Sequence, residues 1–223
     1  MSYPGARVLA VARSHLVWDW NGTLLDDLTL VVSASNSAFT AVGGRQVDAD
    51  EHRRQFRRPV AEFYAEILGR AVDAEEFGRL DRIFHDAYRV GLTTTSLAAD
   101  AQAAIKSWPG TQSLLSMWFH DELVPALETY GLTGMFTRVD GLRTEVGGDL
   151  KAGHLARHLA ELRVSGDQAV LVGDSLDDAE AAASVGAAVV LYTGGFTDPA
   201  RLRASGHPVA DTLVEAITVA RTL

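Results

Sequence analysis

The sequence predicts an α/β fold, a Rossmann-like, doubly wound parallel sheet interrupted by one all-helical insertion. Three observations carry this. Four short, nearly continuous apolar runs each end in small or acidic residues, as strands buried on both faces of a parallel sheet do. Helical apolar spacing alternates with the later runs, the order expected of a sheet wound with crossover helices. From about residue 28 to 95, by contrast, the spacing is helical throughout.

The first strand is read at His15-Leu16-Val17-Trp18, ending at Asp19. In the insertion, a helix over Leu28 to Val42 is stopped by Gly43-Gly44, and another runs from Asp48 to Arg58. Pro59 suits the first turn of a third helix, Pro59 to Leu68, which Gly69 stops. Asp73 and Glu76 make an acidic N-terminal box for a fourth, whose apolar face is Phe77, Leu80, Phe84, Ala87 and Tyr88. Thr93-Thr94-Thr95-Ser96 reads as the return linker. A second strand follows at Ser113-Leu114-Leu115 before Ser116. Leu155, Leu159 and Leu162 line one face of a helix over Gly153 to Arg163. The third strand, Ala169 to Val172, ends at Gly173-Asp174 and feeds an Ala-rich helix over Asp177 to Ser184 with an acidic first turn. The fourth, Ala187 to Leu191, precedes Gly194-Gly195. The expected domains are residues 1–27 with 96–223 as the α/β core, and 28–95 as the helical unit.

The composition narrows the function. The chain has 223 residues, 47% of them hydrophobic, enough for a sizeable core. Its net charge of −9 disfavours nucleic-acid and anionic-membrane partners, whose phosphates its field would repel. With no cysteine there is no thiol catalysis, disulfide or thiolate metal site. Only two lysines, Lys106 and Lys151, stand among twenty basic residues. The Ala/Val/Leu run within Met1 to Arg13 is too short for a secretory leader or a membrane span, so a cytoplasmic location is expected.

Ligands of doubly wound sheets bind beyond the carboxyl ends of the strands, where Asp19, Ser116 and Asp174 fall. Asp19-Trp20-Asn21-Gly22-Thr23-Leu24 places a carboxylate at a strand end beside a tight turn, as a nucleophile or metal ligand requires; a strand-capping Asx-turn has the same appearance. Asp174 and Asp178 flank a turn into a helix, a spacing that lets two carboxylates meet one hard cation such as Mg²⁺, or merely suits the helix dipole, the role read for Asp177. Lys151 precedes an amphipathic helix, and Ser116 offers a hydroxyl at a strand end.

In the order Asp19, Ser116, Lys151, Asp174 and Asp178, with a helical insertion after the first, the chain resembles the haloacid dehalogenase-like (HAD) hydrolases. Within them it is closest in layout to phosphoglycolate phosphatase-like members. The resemblance spans nearly the whole chain. It implies a Mg²⁺-dependent phosphatase in which Asp19 attacks phosphorus to form an aspartyl-phosphate, with a small phosphorylated metabolite as substrate. Mg²⁺ would be held by Asp19, the main-chain carbonyl of Asn21 and Asp174, with Asp178 supporting. Thr23 and Ser116 would bind the phosphoryl oxygens, and Lys151 would neutralise charge on them and on Asp19. The physical inventory agrees: three carboxylates repel a phosphate unless a cation and an ammonium offset them.

One position departs from the pattern. The general acid/base aspartate expected two residues after the nucleophile is Asn21, whose amide neither gives nor takes a proton near neutrality. Three expectations follow: a phosphatase restricted to good leaving groups or served by another base, with Asp26 and Asp27 nearest; a catalytically weakened phosphate-binding or regulatory protein; or a phosphonatase- or dehalogenase-type hydrolase. The last is disfavoured because the insertion holds no lysine and the Asp174/Asp178 pair is retained. In the insertion, Arg53-Arg54-Gln55-Phe56-Arg57-Arg58 is a cluster from which Arg54 and Arg57 are the candidates to meet a second anionic group of the substrate, against a solvated face paired with Asp50, Glu51 and Glu62. His52, His85, His120, Trp118 and Phe119 are candidate cleft residues. Oligomeric state is left open.

Overall fold

The structure, a computed structural model, describes residues 13–144 and 146–223; the N-terminal run expected to be too short for a leader lies almost wholly outside them. The chain runs β1 (His15–Trp18), β2 (Leu25–Asp26), α1 (Leu28–Ala41), α2 (Ala49–Gln55), α3 (Val60–Leu68), α4 (Ala74–Gly91), β3 (Ser96–Leu97), α5 (Ala101–Ser107), β4 (Thr111–Phe119) and α6 (His120–Thr129). It continues with β5 (Val139–Leu142), α7 (Ala152–Leu162), β6 (Ala169–Gly173), α8 (Leu176–Val185), β7 (Ala188–Tyr192), α9 (Pro199–Ala204), β8 (Val209–Ala210) and α10 (Leu213–Ala220).

Six strands form one parallel sheet in the order β5-β4-β1-β6-β7-β8, a Rossmann-like α/β arrangement. Strand alternation divides the core in two. Leu16, Trp18, Leu114, Val170, Val172 and Val190 face one side, with α5, α10 and the aromatic interior of α1–α4. Val17, Leu115, Leu171, Val189 and Leu191 face the other, against Leu155 and Leu159 of α7, Ala179 and Ala182 of α8, and Leu202 of α9. Both faces are covered, which is why these strands read as unbroken apolar runs. Chain direction across the sheet reverses at β1, so β1, β4 and β6 deliver their carboxyl ends to one crevice.

Helices α1–α4 lie between β2 and β3, which pair antiparallel through Leu25–Leu97 and Asp26–Ser96. The helix signals act as expected: Gly69 ends α3 in the left-handed region, and the Asp73 carboxylate accepts the Glu76 N–H at 2.8 Å. α2 stops at Gln55, short of the expected Arg58, because Phe56 turns extended ahead of the Arg58-Pro59 pair. The strand read as Ser113–Leu115 spans Thr111 to Phe119, so Ser116 lies inside it, where the pairing with β5 shifts register between Leu115 and Phe119. Among the described residues, no helix is long and apolar enough to cross a membrane.

Candidate functional site

The site begins where β1 ends. The Asp19 N–H still bonds the Val172 carbonyl of β6 at 2.9 Å; the chain then turns tightly, with the Thr23 and Leu25 N–H groups both donating to the Trp20 carbonyl. Asp174, one residue beyond β6, faces this turn. Its Oδ1 accepts from the Thr23 hydroxyl at 3.3 Å and its Oδ2 from the Phe196 N–H at 2.5 Å. Backbone approaches this carboxylate so closely that a Cβ on Gly22 or Gly195 would collide with it, and Gly22 also has φ +71°.

Lys151, buried just before α7, joins the carboxylates. Its Nζ lies 2.7 Å from Asp19 Oδ1 and also pairs with Asp178 Oδ1. Asp178 is held in turn at the start of α8, where its Oδ2 accepts from the Ser175 N–H at 3.0 Å and hydroxyl at 2.6 Å. Asp177, assigned from the sequence only to the helix dipole, accepts the Lys151 backbone N–H at 3.1 Å and so fixes where the lysine starts.

Burial opposes every one of these charges. It pushes Asp19 up to about 6 in spite of Lys151, and it lifts Asp174 well above its ordinary value, with Asp19 and Asp178 adding to the rise. For Asp178, burial is overcome by Lys151 and Ser175, and the group stays below its ordinary value. Burial would lower Lys151, but Asp178 and Asp19 outweigh it and keep the ammonium charged. Asp19, Asp174 and Asp178 each present an oxygen within 4.8 Å of the others, all buried, against one ammonium. This surplus of hard oxygen donors fits a divalent cation such as Mg²⁺.

The Asn21 amide is fully engaged. Its Nδ2 donates to Asp27 Oδ2 and to the Tyr88 hydroxyl of α4, both at 2.9 Å, and its Oδ1 accepts from Ser116 Oγ at 3.2 Å. Tyr88 donates to Asp27 Oδ2 at 2.7 Å and the Gly22 N–H to Asp27 Oδ1 at 2.7 Å. Asp27 is thus a buried hub, raised to about 6 by burial against the hydrogen bonds of Asn21 and Tyr88. Asp26 is exposed on β2. Thr23 and Ser116 lie at the site with their hydroxyls turned to Asp174 and Asn21.

The arginine expectation needs correction. Arg54 is exposed on α2 and lines none of the described cavities, while Arg57 bonds Gln55 and borders an outer cavity with Arg201. α2 ends at Gln55, before Arg57, so helical spacing no longer governs that residue. The arginine that reaches the carboxylates is Arg58, which lines a cavity of about 20 Å³ with Asp19, Lys151 and Asp174. Arg53 instead binds the carbonyls of Gly195 and Gly194, at 2.8 and 2.9 Å. A larger cavity, about 90 Å³, adjoins the small one, sharing Asn21, Phe56, Arg58, Met117 and Phe196 with it. His52, His85 and Trp118 line it; His120 does not, its Nδ1 accepting the Gly141 N–H at 3.3 Å.

Comparison with known proteins agrees with this arrangement. A family model described as HAD-hydrolase-like matches residues 146–216, the stretch that contains Lys151, Asp174 and Asp178. A phosphoglycolate phosphatase of Mesorhizobium japonicum is 25% identical over 195 residues, covering 84% of this chain and 86% of the relative. Among solved structures, a predicted phosphatase from Clostridium acetobutylicum superposes with a TM-score of 0.84 at 16% identity, covering 96% of this chain and all of that one. A haloacid dehalogenase-like family protein from Streptococcus pneumoniae does so at 0.78 and 18%, over 93% of this chain and 98% of its own. In fold and in these matches, the chain is similar to haloacid dehalogenase-like (HAD) proteins, with the family model covering residues 146–216.

Proposed function

We propose that the chain hydrolyses a phosphate monoester with Asp19 as nucleophile and Mg²⁺ as cofactor. The observation that carries this is the Lys151 ammonium seated between Asp19 and Asp178, beside Asp174 and at the floor of a cavity. Attack by an Asp19 oxygen on phosphorus expels the alcohol and leaves an aspartyl-phosphate, which water then cleaves. Lys151 offsets charge on Asp19 and on the phosphoryl group, and Arg58 adds a second positive charge at the same cavity. Asp19, Asp174 and the Asn21 carbonyl would hold Mg²⁺, with Asp178 supporting by keeping Lys151 in place. Bound there, the cation would polarise the phosphoryl oxygens and offset the carboxylates. The helices of residues 28–95 act as a cap over a core of 1–27 and 96–223; the β2–β3 pairing at the two ends of this unit supports that division.

A second reading has its own support. Asn21 has both amide protons committed to Asp27 and Tyr88, so it supplies no proton to a departing alcohol and activates no water. Slow cleavage of the aspartyl-phosphate would make the protein a phosphate-binding HAD relative with little turnover. Hydrolysis of an aryl phosphate with Mg²⁺, with EDTA, and by Asp19→Asn separates the two. Metal-dependent release that Asp19→Asn abolishes supports the hydrolase. Phosphate binding without release selects the second reading, and release that survives in Asp19→Asn overturns both.

A further inference from the structure

The 90 Å³ cavity beside the carboxylates shows what kind of alcohol the ester carries, given the phosphatase reading above. Its walls are mostly apolar and buried: Val31, Phe63 and Phe84 from the helices, Met117 and Trp118 from β4, and Phe196 from the loop after β7. His52, within this wall, packs on the rings of Phe56, Phe63 and Phe196. Both of its ring nitrogens lack a protein partner, and burial, with Arg53 nearby, drives it down to about 4, so at neutral pH it is an uncharged aromatic surface.

The charges on the lining are few and committed. Asp81 accepts the Gly147 N–H at 3.3 Å and lies 3.3 Å from His85 Nδ1, bringing negative charge to the wall. Arg58 is the one lysine or arginine among the described lining residues. It stands where the two cavities meet, 3.8 Å from Asp177, and donates to the Asp149 carbonyl at 3.1 Å. A second anion on the substrate would be buried against phenylalanines and an aspartate, with its nearest cation already shared with Asp177 and the phosphoryl pocket. Such unpaired burial is strongly unfavourable.

We infer that the ester cleaved here carries a compact, uncharged, apolar alcohol seated between the helices and the sheet, and no second anionic group. For scale, an apolar cavity of about 150 Å³ holds a benzene ring, so 90 Å³ suits roughly three or four carbons. Each methylene removed from water strengthens binding roughly fourfold.

Binding separates this from turnover. Isothermal titration of the full chain with Mg²⁺ compares 3-methylbutylphosphonate, the uncleavable analogue of isobutyl phosphate, with 3-phosphonopropionate, the analogue of the carboxylate-bearing ester 2-phosphoglycolate. The branched alkyl ligand is expected to bind at least tenfold tighter. Equal or tighter binding of the carboxylate ligand overturns the inference, as does failure of the alkyl ligand to bind at millimolar concentration. Val60→Lys sets a cation in the wall at a half-buried position outside the carboxylate cluster, and should shift the preference toward the carboxylate. A folded variant with the original ratio places the alkyl group elsewhere and also overturns it. If the binding order holds and no ester is hydrolysed, the phosphatase reading falls and the assignment of the cavity stands. If an aryl phosphate is hydrolysed while the carboxylate ligand binds tighter, the inference alone falls.

Discussion

Asn21→Asp is the most revealing single change, because the structure says what the new carboxylate meets. Asn21 Nδ2 lies 2.9 Å from Asp27 Oδ2, in a site where burial has already lifted Asp27 to about 6. That rise of about two pKa units means Asp27 costs the folded state ~3 kcal/mol once ionised. Replacing the amide by a carboxylate turns a donor into a like charge. Two unit charges 2.9 Å apart repel by about 6 kcal/mol at an effective dielectric of about 20, equivalent to roughly four further pKa units. The pair therefore retains one shared proton across the neutral range, with apparent values that belong to the pair. The sign follows from proton binding: a raised carboxyl binds more protons folded than unfolded, so stability is greatest at low pH and falls as pH rises toward the folded pKa. In the parent, the Asp27 contribution is lost by about pH 6; in Asn21→Asp the loss continues through pH 9. Urea midpoints of both proteins from pH 5 to 9 should diverge steadily, and Asn21→Asp/Asp27→Asn should remove the divergence. The shared proton is also available to a departing alkoxide, so turnover of alkyl phosphates should rise, on the order of 10²-fold for general acid help. A stability gap between Asn21→Asp and the parent that stays constant from pH 6 to 9 would refute the contact and the reasoning built on it.

Three further outcomes follow from the same geometry. His52, lowered from 6.5 to about 4, contributes stability that is complete above 6.5 and lost as pH falls toward 4, up to about 3 kcal/mol; His52→Phe should flatten that acid limb of the urea midpoint, and parallel limbs would contradict it. Gly195→Ala drives a Cβ into Asp174 and should lower stability by about 1–3 kcal/mol in thermal melts and weaken Mg²⁺ binding by calorimetry; unchanged values in both would show that the loop moves freely away. Asp178→Asn takes one of two carboxylates from a buried ammonium and should cost about 3 kcal/mol in urea unfolding, whereas a loss under about 0.5 would mean the ion cluster does not persist in solution.

The strands that bury both faces announce themselves, since β1 and β6 have no solvent side to encode. β5, Val139-Asp140-Gly141-Leu142, is half-buried and carries Asp-Gly, so nothing in its composition marks a strand; it forms because β4 offers it an edge. The approach of Asp19 and Asp174 was legible because strand ends at the reversal of a sheet share one crevice, and Asp178 follows from its spacing to Asp174, whereas Lys151 was placed there only by the family resemblance. Which arginine enters was not, because α2 ends at Gln55 and the direction of Arg57 and Arg58 depends on the turn beyond it. Asp27 and Tyr88 are 61 residues apart, on the two sides of a helical segment, and only the packing of α4 over the loop after β1 joins them to Asn21.

The arginines that do not reach the carboxylates tie the helices to them in another way. Arg53 grips the Gly194 and Gly195 carbonyls, while Arg201 of α9 donates to the carbonyls of Arg53, Arg54 and Phe56 at the end of α2. Between these clamps runs the loop whose Phe196 N–H holds Asp174. Any swing of α2 that admits ligand or lets product leave must either strip these clamps or drag that loop along. A displacement of α2 would therefore be transmitted through this loop to Asp174.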